Sequence, residues 1–330
     1  MYLCLLTDGL AHLELDEALA WCGARDLTAV ELGVGGYSPA PHVDRAALLG
    51  DRQARARLRA QLADAGVQLA ALNASGNPLH PRGDIAAEHD AALRDALRLA
   101  AALDCDRVVA MSGCPGGPGD TAWPVFAGGA WLPDMEGLWD WQWHYAIVPY
   151  WRELAAFAAR EAPGVRICLE LHPGTSIYNP ESFALLAATM GELAETAGVQ
   201  LAVNLDPSHF WWQGMDPLAV IEALDGAIGF AHGKDTIVHP DRVARHGVLD
   251  FRWPADADTM PWHFCAVGAG HDVGTWAELL TALRIAGYDG AVSIEHEDPN
   301  LEPEEGIEAS MEGLRAALAA AGAARLKDRC

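Results

Sequence analysis

Eight times along this chain a short apolar run is followed by a stretch of helical period, and this alternation constrains the fold more than any other feature. The short runs are Tyr2–Leu6, Thr28–Leu32, Val67–Leu72, Arg107–Met111, Val165–Leu171, Val199–Leu205, Ala227–Ala231 and Ala291–Glu295. The clearest helical stretches are Arg52–Ala65, Ala86–Leu103, Pro180–Ala197, Thr275–Ala286 and Pro303–Ala321. Glycine closes two of them, in Asp64-Ala65-Gly66-Val67 and Thr196-Ala197-Gly198-Val199, because it accepts the left-handed conformation that ends a helix. Eight strand–helix units predict an α/β fold, a closed parallel (β/α)8 TIM barrel, as a single domain over residues 1–330. With 51% hydrophobic and 21% charged residues, a chain of this length buries a large core, which excludes disorder for most of it.

Two connections break the rhythm. Ser112–Trp143, after the fourth strand, is rich in Gly, Pro and Trp, and Asp235–Gly274, after the seventh, is similarly irregular. Both lie on the face where barrels carry their chemistry, so they read as site-forming loops rather than linkers. Trp123, Trp131, Trp139, Trp141, Trp143 and Trp151 crowd around the first insertion, and Trp211 and Trp212 follow the sixth strand. Aromatic faces stack on sugar rings while indole N–H groups bond hydroxyls, so Trp143 and Trp212 are candidate substrate contacts. Loop packing or a subunit interface is the plainer explanation of any one tryptophan.

The formal net charge of −24, with only two lysines (Lys234 and Lys327) and no basic stripe, repels polyanions. Nucleic acid, anionic membrane and multiply phosphorylated substrates are therefore not expected partners. Cys4, Cys22, Cys105, Cys114, Cys168, Cys265 and Cys330 are scattered, odd in number and never spaced C-x-x-C, which argues against a disulfide framework or thiolate zinc site and fits a reducing cytoplasm. Neither an export signal nor an apolar stretch of about 18 residues is evident, so a cytoplasmic protein is expected. Gly33-Val34-Gly35-Gly36 lacks the full dinucleotide fingerprint, and Gly233-Lys234-Asp235 lacks the spacing of a phosphate loop, so neither a nicotinamide nor a nucleotide cofactor is implied.

Side-chain alternation selects the residues that face the barrel axis. In the fifth strand Val165, Ile167, Leu169 and Leu171 turn toward the helices, leaving Cys168 and Glu170 inward. In the sixth, Ala202, Asn204 and Asp206 point inward, and in the eighth Ala291, Ser293 and Glu295 do. The seventh strand ends in His232, but its weak pattern does not fix the phase. Neighbouring strands lie about 4.8 Å apart, so Glu170, Asp206, His232 and Glu295 can converge from four consecutive strands. Three buried carboxylates repel one another unless a divalent cation compensates them, and this oxygen-rich set with one imidazole suits Mn²⁺ first, with Mg²⁺ or Co²⁺ as alternatives. Taken singly, each of the four also reads as an ordinary strand-end polar residue that caps a helix or pairs with an arginine.

The runs Glu170-Leu171-His172-Pro173-Gly174, Asp206-Pro207-Ser208-His209, His232-Gly233-Lys234-Asp235 and Ser293-Ile294-Glu295-His296-Glu297-Asp298 resemble the xylose-isomerase-like superfamily of sugar isomerases and epimerases. The resemblance implies that Glu170, Asp206, His232 and Glu295 are metal ligands, that Glu170 and Glu295 also transfer the proton, and that His209 contacts substrate or supports a ligand. Gly113-Cys114-Pro115, Trp139-Asp140-Trp141-Gln142-Trp143-His144 and Gly268-Ala269-Gly270-His271-Asp272 are similar to a narrower group that includes the larger subunit of bacterial C-glycoside deglycosidases, which act on 3-oxo-glycosides.

A ketose carbonyl and its neighbouring hydroxyl can chelate a divalent ion, which acidifies the C–H between them, and two carboxylates then serve as base and acid. Glu170 and Glu295 fit this for epimerisation or aldose–ketose isomerisation through an enediolate. Applied to a 3-oxo-glycoside, the same deprotonation at C2 leads to β-elimination of the C1 substituent. His144 is a candidate base, with packing as its alternative. His172 shares the inward face of Glu170 and either contacts substrate or orients a ligand. Lys234 and His271 are further candidate substrate contacts at the mouth. A noncatalytic sugar-binding module and an abasic-site endonuclease are the other readings, the second opposed by the charge. A small sugar or glycoside is the expected partner, with assembly as a homo-oligomer or with a small second subunit.

Overall fold

A computed structural model of the protein describes residues 1–119, 121–129, 132–197, 200–250 and 256–327. Its strands are β1 (Tyr2–Leu6), β2 (Ala29–Gly33), β3 (Gln68–Asn73), β4 (Arg107–Met111), β5 (Arg166–Glu170), β6 (Gln200–Leu205), β7 (Ile228–Gly233), β8 (Asp235–Val238), β9 (Trp262–Cys265) and β10 (Ala291–Ile294). Eight close into a parallel barrel in the order β1-β10-β7-β6-β5-β4-β3-β2, with β1 sealing the ring by pairing Tyr2 with Ala291 and Leu5 with Val30. All eight sequence-predicted strands are present, with ends shifted by at most two residues. Trp131, Gly198, Val199 and Cys330 lie outside the described residues.

The helices form because their apolar residues recur at spacings of three and four. In the helix Gly83–Leu103, Ala92, Leu93, Ala96, Leu97 and Ala100 are buried, which turns one stripe toward the sheet, and each fully buried leucine contributes about 1.5–3 kcal/mol relative to exposure. That helix stops at Asp104, which adopts a left-handed conformation at φ 60°. Gly66, at φ 69°, makes the expected turn into β3.

Two apolar layers result. Large side chains fill the space between sheet and helices, whereas the barrel interior holds mostly small ones: Cys4, Ala29, Ala70, Ala71, Val109, Cys168, Ala202 and Ala291, with Phe230 as a large buried ring and Tyr2 packed against them. Cys168, Ala202 and Ala291 thus face inward as alternation predicts. The phase of β7 was obscured by a register irregularity: Val203 pairs with Ile228 but Asn204 pairs with Phe230, so Gly229 is the extra residue. A Cβ on Gly229 would come within 2.7 Å of Ala202 Cβ and 2.9 Å of Cys168 Sγ, so only glycine fits the bulge that turns Phe230 and His232 inward.

The irregular stretch after β7 contains structure that its sequence did not reveal. β8 and β9 form an antiparallel hairpin beside the mouth, pairing Asp235 with Cys265 and Val238 with Trp262, with the helix Pro240–His246 between them. The insertion after β4 ends in a short helix, Leu138–Gln142, that runs through a π-helical turn, Trp143–Ile147, into the helix Val148–Glu161. Six cysteines are buried free thiols. Among the described residues no helix is long and apolar enough to cross a membrane.

Candidate active site and metal centre

The inward residues at the ends of β5, β6, β7 and β10 meet at the barrel mouth. Glu170 ends β5, Asp206 follows β6, His232 lies in β7 and Glu295 follows β10, and these four strands are consecutive neighbours in the ring. One donor atom from each lies within 4.8 Å of the others, and only Glu295 is appreciably exposed. Glu170, His172 and His209 form a second such group that shares Glu170.

Hydrogen bonds and ion pairs fix the cluster. His209 Nε2 lies 3.0 Å from Glu170 Oε1 and 3.3 Å from Asp206 Oδ2. The backbone N–H of Ser208 donates to Asp206 Oδ1 at 2.9 Å, turning the second oxygen toward the other carboxylates. The buried Lys234 ammonium lies 2.7 Å from Glu295 Oε2, 3.0 Å from Glu297 Oε2 and 3.1 Å from Asp206 Oδ2, over the Phe264 ring at 4.6 Å. His232 stands between two carboxylates, with Nδ1 3.2 Å from Glu295 and Nε2 3.2 Å from Glu31.

These contacts set the protonation states. Burial, reinforced by Glu295, pushes the Glu170 carboxyl up to about 7. Burial also lowers His172 and His209 to about 4, so both rings are neutral near pH 7. For Asp206 and Glu295 burial works the other way but is outweighed by Lys234, so both are held below the usual carboxylate range. His232 and Lys234 are raised well above their ordinary values because their carboxylate neighbours overcome burial. Without another ion, the protein's own ammonium and imidazolium partly compensate an excess of carboxylates.

The donor set fits a divalent cation. Asp206 Oδ2 and His232 Nδ1 are buried yet make no well-aligned hydrogen bond, although each lies near an opposite charge. Buried polar atoms are normally satisfied, and two such atoms in one converging group are donors that a divalent cation would complete.

The remaining predicted residues fall into two sets. His172 joins the cluster: its Nδ1 donates to the Pro173 carbonyl at 2.6 Å and its ring centroid lies 4.1 Å from that of His209. Trp212 stacks on Trp262 at 4.4 Å, Trp262 lies against Phe264 at 5.4 Å, and Phe264 packs on both His209 and Lys234, so Trp212 belongs to an aromatic wall that begins at the cluster. His271 is held at 2.7 Å by the buried Asp235 and stacks on Trp211 at 3.8 Å. Trp143 is buried and stacked on Trp139. His144 is exposed, its Nδ1 donating to the Asp140 carbonyl at 2.8 Å. Among the described residues no hydrogen bond, ion pair or ring contact joins Trp143 or His144 to the carboxylate cluster.

Sequence reasoning missed Glu31, Glu297 and Phe264. Glu31 had a signal: it is the one charged residue in Ala29-Val30-Glu31-Leu32, where charge inside an apolar strand costs too much to be idle. Phe264 had none, because a four-residue strand carries too little periodicity to stand out from a loop.

A family model described as xylose isomerase-like TIM barrel matches residues 20–317. An uncharacterized protein of Bacillus subtilis (strain 168), YfiH, is 35% identical over 319 residues, covering 96% of this chain and 98% of that protein. Among solved structures, a D-tagatose 3-epimerase-like protein superposes with a TM-score of 0.62 at 18% identity, covering 98% of each chain. The IOLI protein, described with a binding zinc atom, gives 0.60 at 18% identity over 96% of this chain and 98% of that one. At such identities the two structures share the fold.

Proposed function

The chain belongs to the xylose isomerase-like TIM barrel family, and from that premise we propose that it is a divalent-metal-dependent isomerase or epimerase of a sugar or keto-sugar, working by proton abstraction beside a carbonyl. The observation that carries this reading is the meeting of Glu170, Asp206, His232 and Glu295 at one point, with two carboxylates at the ends of the set. Mn²⁺ suits these ligands first, and the zinc named for the IOLI structure is a precedent within the fold. Bound there, the cation supplies Lewis acidity to a chelated carbonyl and its neighbouring hydroxyl.

The chain's own residues do the rest. Glu170, near neutrality in its proton affinity, and Glu295, held ionised by Lys234, are opposed groups that take a proton from carbon and return one. His209 holds Glu170 in place through Nε2, and Lys234 aligns Glu295 while offering its ammonium to a substrate oxygen. Removing the C–H proton leaves an enediolate; reprotonation on the other face gives the epimer, and reprotonation at the neighbouring carbon gives the isomer. The aromatic wall of Phe264, Trp262 and Trp212 favours a second reading, in which C2 deprotonation of a 3-oxo-glycoside expels an aromatic C1 substituent lying against those rings.

The deciding experiment incubates the Mn²⁺-loaded protein in D₂O with free ketoses, inososes and 3-oxo-glucosides. A substrate should gain deuterium beside its carbonyl, and Glu295→Gln should abolish the exchange. Product analysis separates interconversion from aglycone release. An active enzyme whose Glu295→Gln variant keeps its rate would overturn the proton-transfer assignment.

A further inference from the structure

We infer that Glu31 is a positioning residue that fixes His232 as an Nδ1 metal ligand, the carboxylate keeping a proton on Nε2 while Nδ1 faces the cation. The inference rests on the metal-dependent reading above. Glu31 is fully buried in β2, three places round the ring from β7, and it reaches His232 across the barrel mouth. Its oxygens accept from three donors on three strands: Asn73 Nδ2 at 2.8 Å, Ser293 Oγ at 2.7 Å and His232 Nε2 at 3.2 Å.

Those bonds occupy both oxygens of Glu31, so it is an outer partner of the site rather than a fifth ligand, in keeping with its absence from the converging donor group. The two ring nitrogens of His232 differ sharply. Nε2 makes the hydrogen bonds to Glu31, whereas Nδ1 lies 3.2 Å from Glu295 without an aligned bond. A histidine whose far nitrogen donates to a carboxylate has a fixed tautomer, a fixed ring plane and a more basic near nitrogen, which is how outer partners strengthen a metal ligand. Ser293 and Asn73 in turn keep the Glu31 carboxylate from rotating. A lone glutamate inside the apolar strand β2 thus acquires a reason, at the cost of placing a carboxylate in the barrel core.

The test uses two readouts that a merely space-filling role would not move. In uniformly ¹⁵N-labelled protein carrying Zn²⁺, long-range ¹H–¹⁵N correlation, with His232→Gln for assignment, should show His232 protonated at Nε2 and metal-shifted at Nδ1. In parallel, Glu31→Gln, checked for folding by circular dichroism, should bind Mn²⁺ and Zn²⁺ about 10- to 100-fold more weakly than the native chain. Zinc on Nε2 with a proton on Nδ1, or unchanged affinity in a folded Glu31→Gln variant, overturns the inference and leaves the metal site standing. If Glu31→Gln does not fold, the nitrogen assignment in the native protein decides alone. A native protein that takes up neither ion would bring down the metal-dependent reading and this inference with it.

Discussion

The two long excursions from the barrel look alike in sequence and differ in how they are held. The one after β4 is held by neutral contacts: Asn77 Nδ2 donates to the Cys114 carbonyl and its Oδ1 accepts from the Cys114 N–H at 2.9 and 2.8 Å, Gln142 Nε2 donates to the carbonyls of Gly116 and Val125 at 2.9 and 2.8 Å, Trp139 stacks on Trp143, and Trp123 and Tyr145 remain 77% and 72% exposed. The one after β7 is anchored by a buried charge. Asp235 accepts from the backbone of Thr236, Gly268 and His271, from His271 Nδ1 and from Trp276 Nε1, all within 2.7–3.1 Å. Since Asp235 follows Lys234 directly, this network ties the hairpin to the strand end that carries His232, and it brings Phe264 against the cluster. Neutral contacts hold the tryptophan-rich loop, whereas a buried charge beside the strand that carries His232 ties the other loop to the carboxylate cluster.

The comparison breaks most readily at Lys234. Its ammonium is the only lysine charge among Asp206, Glu295 and Glu297, and removing one partner of a buried ionic group typically costs about 3–5 kcal/mol. Lys234→Met should lose about that much stability when unfolded in denaturant with a chelator present, and regain a large part of it with saturating Mn²⁺. An equal loss with and without the cation would remove Lys234 from the charge balance and reduce the β7 side to ordinary packing.

The pH dependence sharpens the same contrast. Glu170 is raised from its ordinary 4.5 to about 7, so the folded chain holds its proton more tightly than the unfolded one, and on this account the metal-free protein loses stability as pH rises from about 4.5 to 7. Ligation requires that proton to leave, together with the one on His232 Nδ1, so Mn²⁺ affinity should climb about 100-fold per unit below pH 7 and, because His232 is raised well above its ordinary value, keep climbing about tenfold per unit above it. Calorimetric titration in buffers of different ionisation enthalpy counts the protons released. A uniform slope with no break near pH 7 would show that Glu170 is already ionised, and hence that the carboxylates are better compensated than their burial implies.

Legibility in the sequence followed the same division. Strand register is a period-two signal, and it placed Glu170, Asp206 and Glu295 on the inner face because Val, Ile and Leu occupied the outer one so regularly. It left His232 ambiguous because Gly229 inserts an extra residue into β7, and a bulge is invisible to a count of alternating positions. Glu31 was legible only as an anomaly, since its partners Asn73, Ser293 and His232 come from three other strands and no local spacing links them. The hairpin of β8 and β9 escaped because four-residue strands separated by a Pro-started helix carry too little periodicity. The tryptophan-rich insertion stands out by composition, and its Trp139, Trp141 and Trp143 rings meet neighbouring aromatics.

The smallest effect is expected at His144, and it is the most informative about the excursion after β4. The ring is exposed, with its one hydrogen bond made to a carbonyl four residues earlier in its own helix. His144→Ala should therefore change stability by no more than about 0.5 kcal/mol and leave Mn²⁺ affinity unaltered. Its catalytic rate separates two accounts of the loop. An unchanged rate on an identified substrate agrees with a segment that packs beside the mouth. A fall of about 100-fold or more, with metal content intact, would place a proton-transferring base on that segment and require the π-helical turn at Trp143–Ile147 to carry it to the substrate. Positioned bases contribute rate factors of that size, so the two outcomes lie far enough apart to be read from a single turnover measurement.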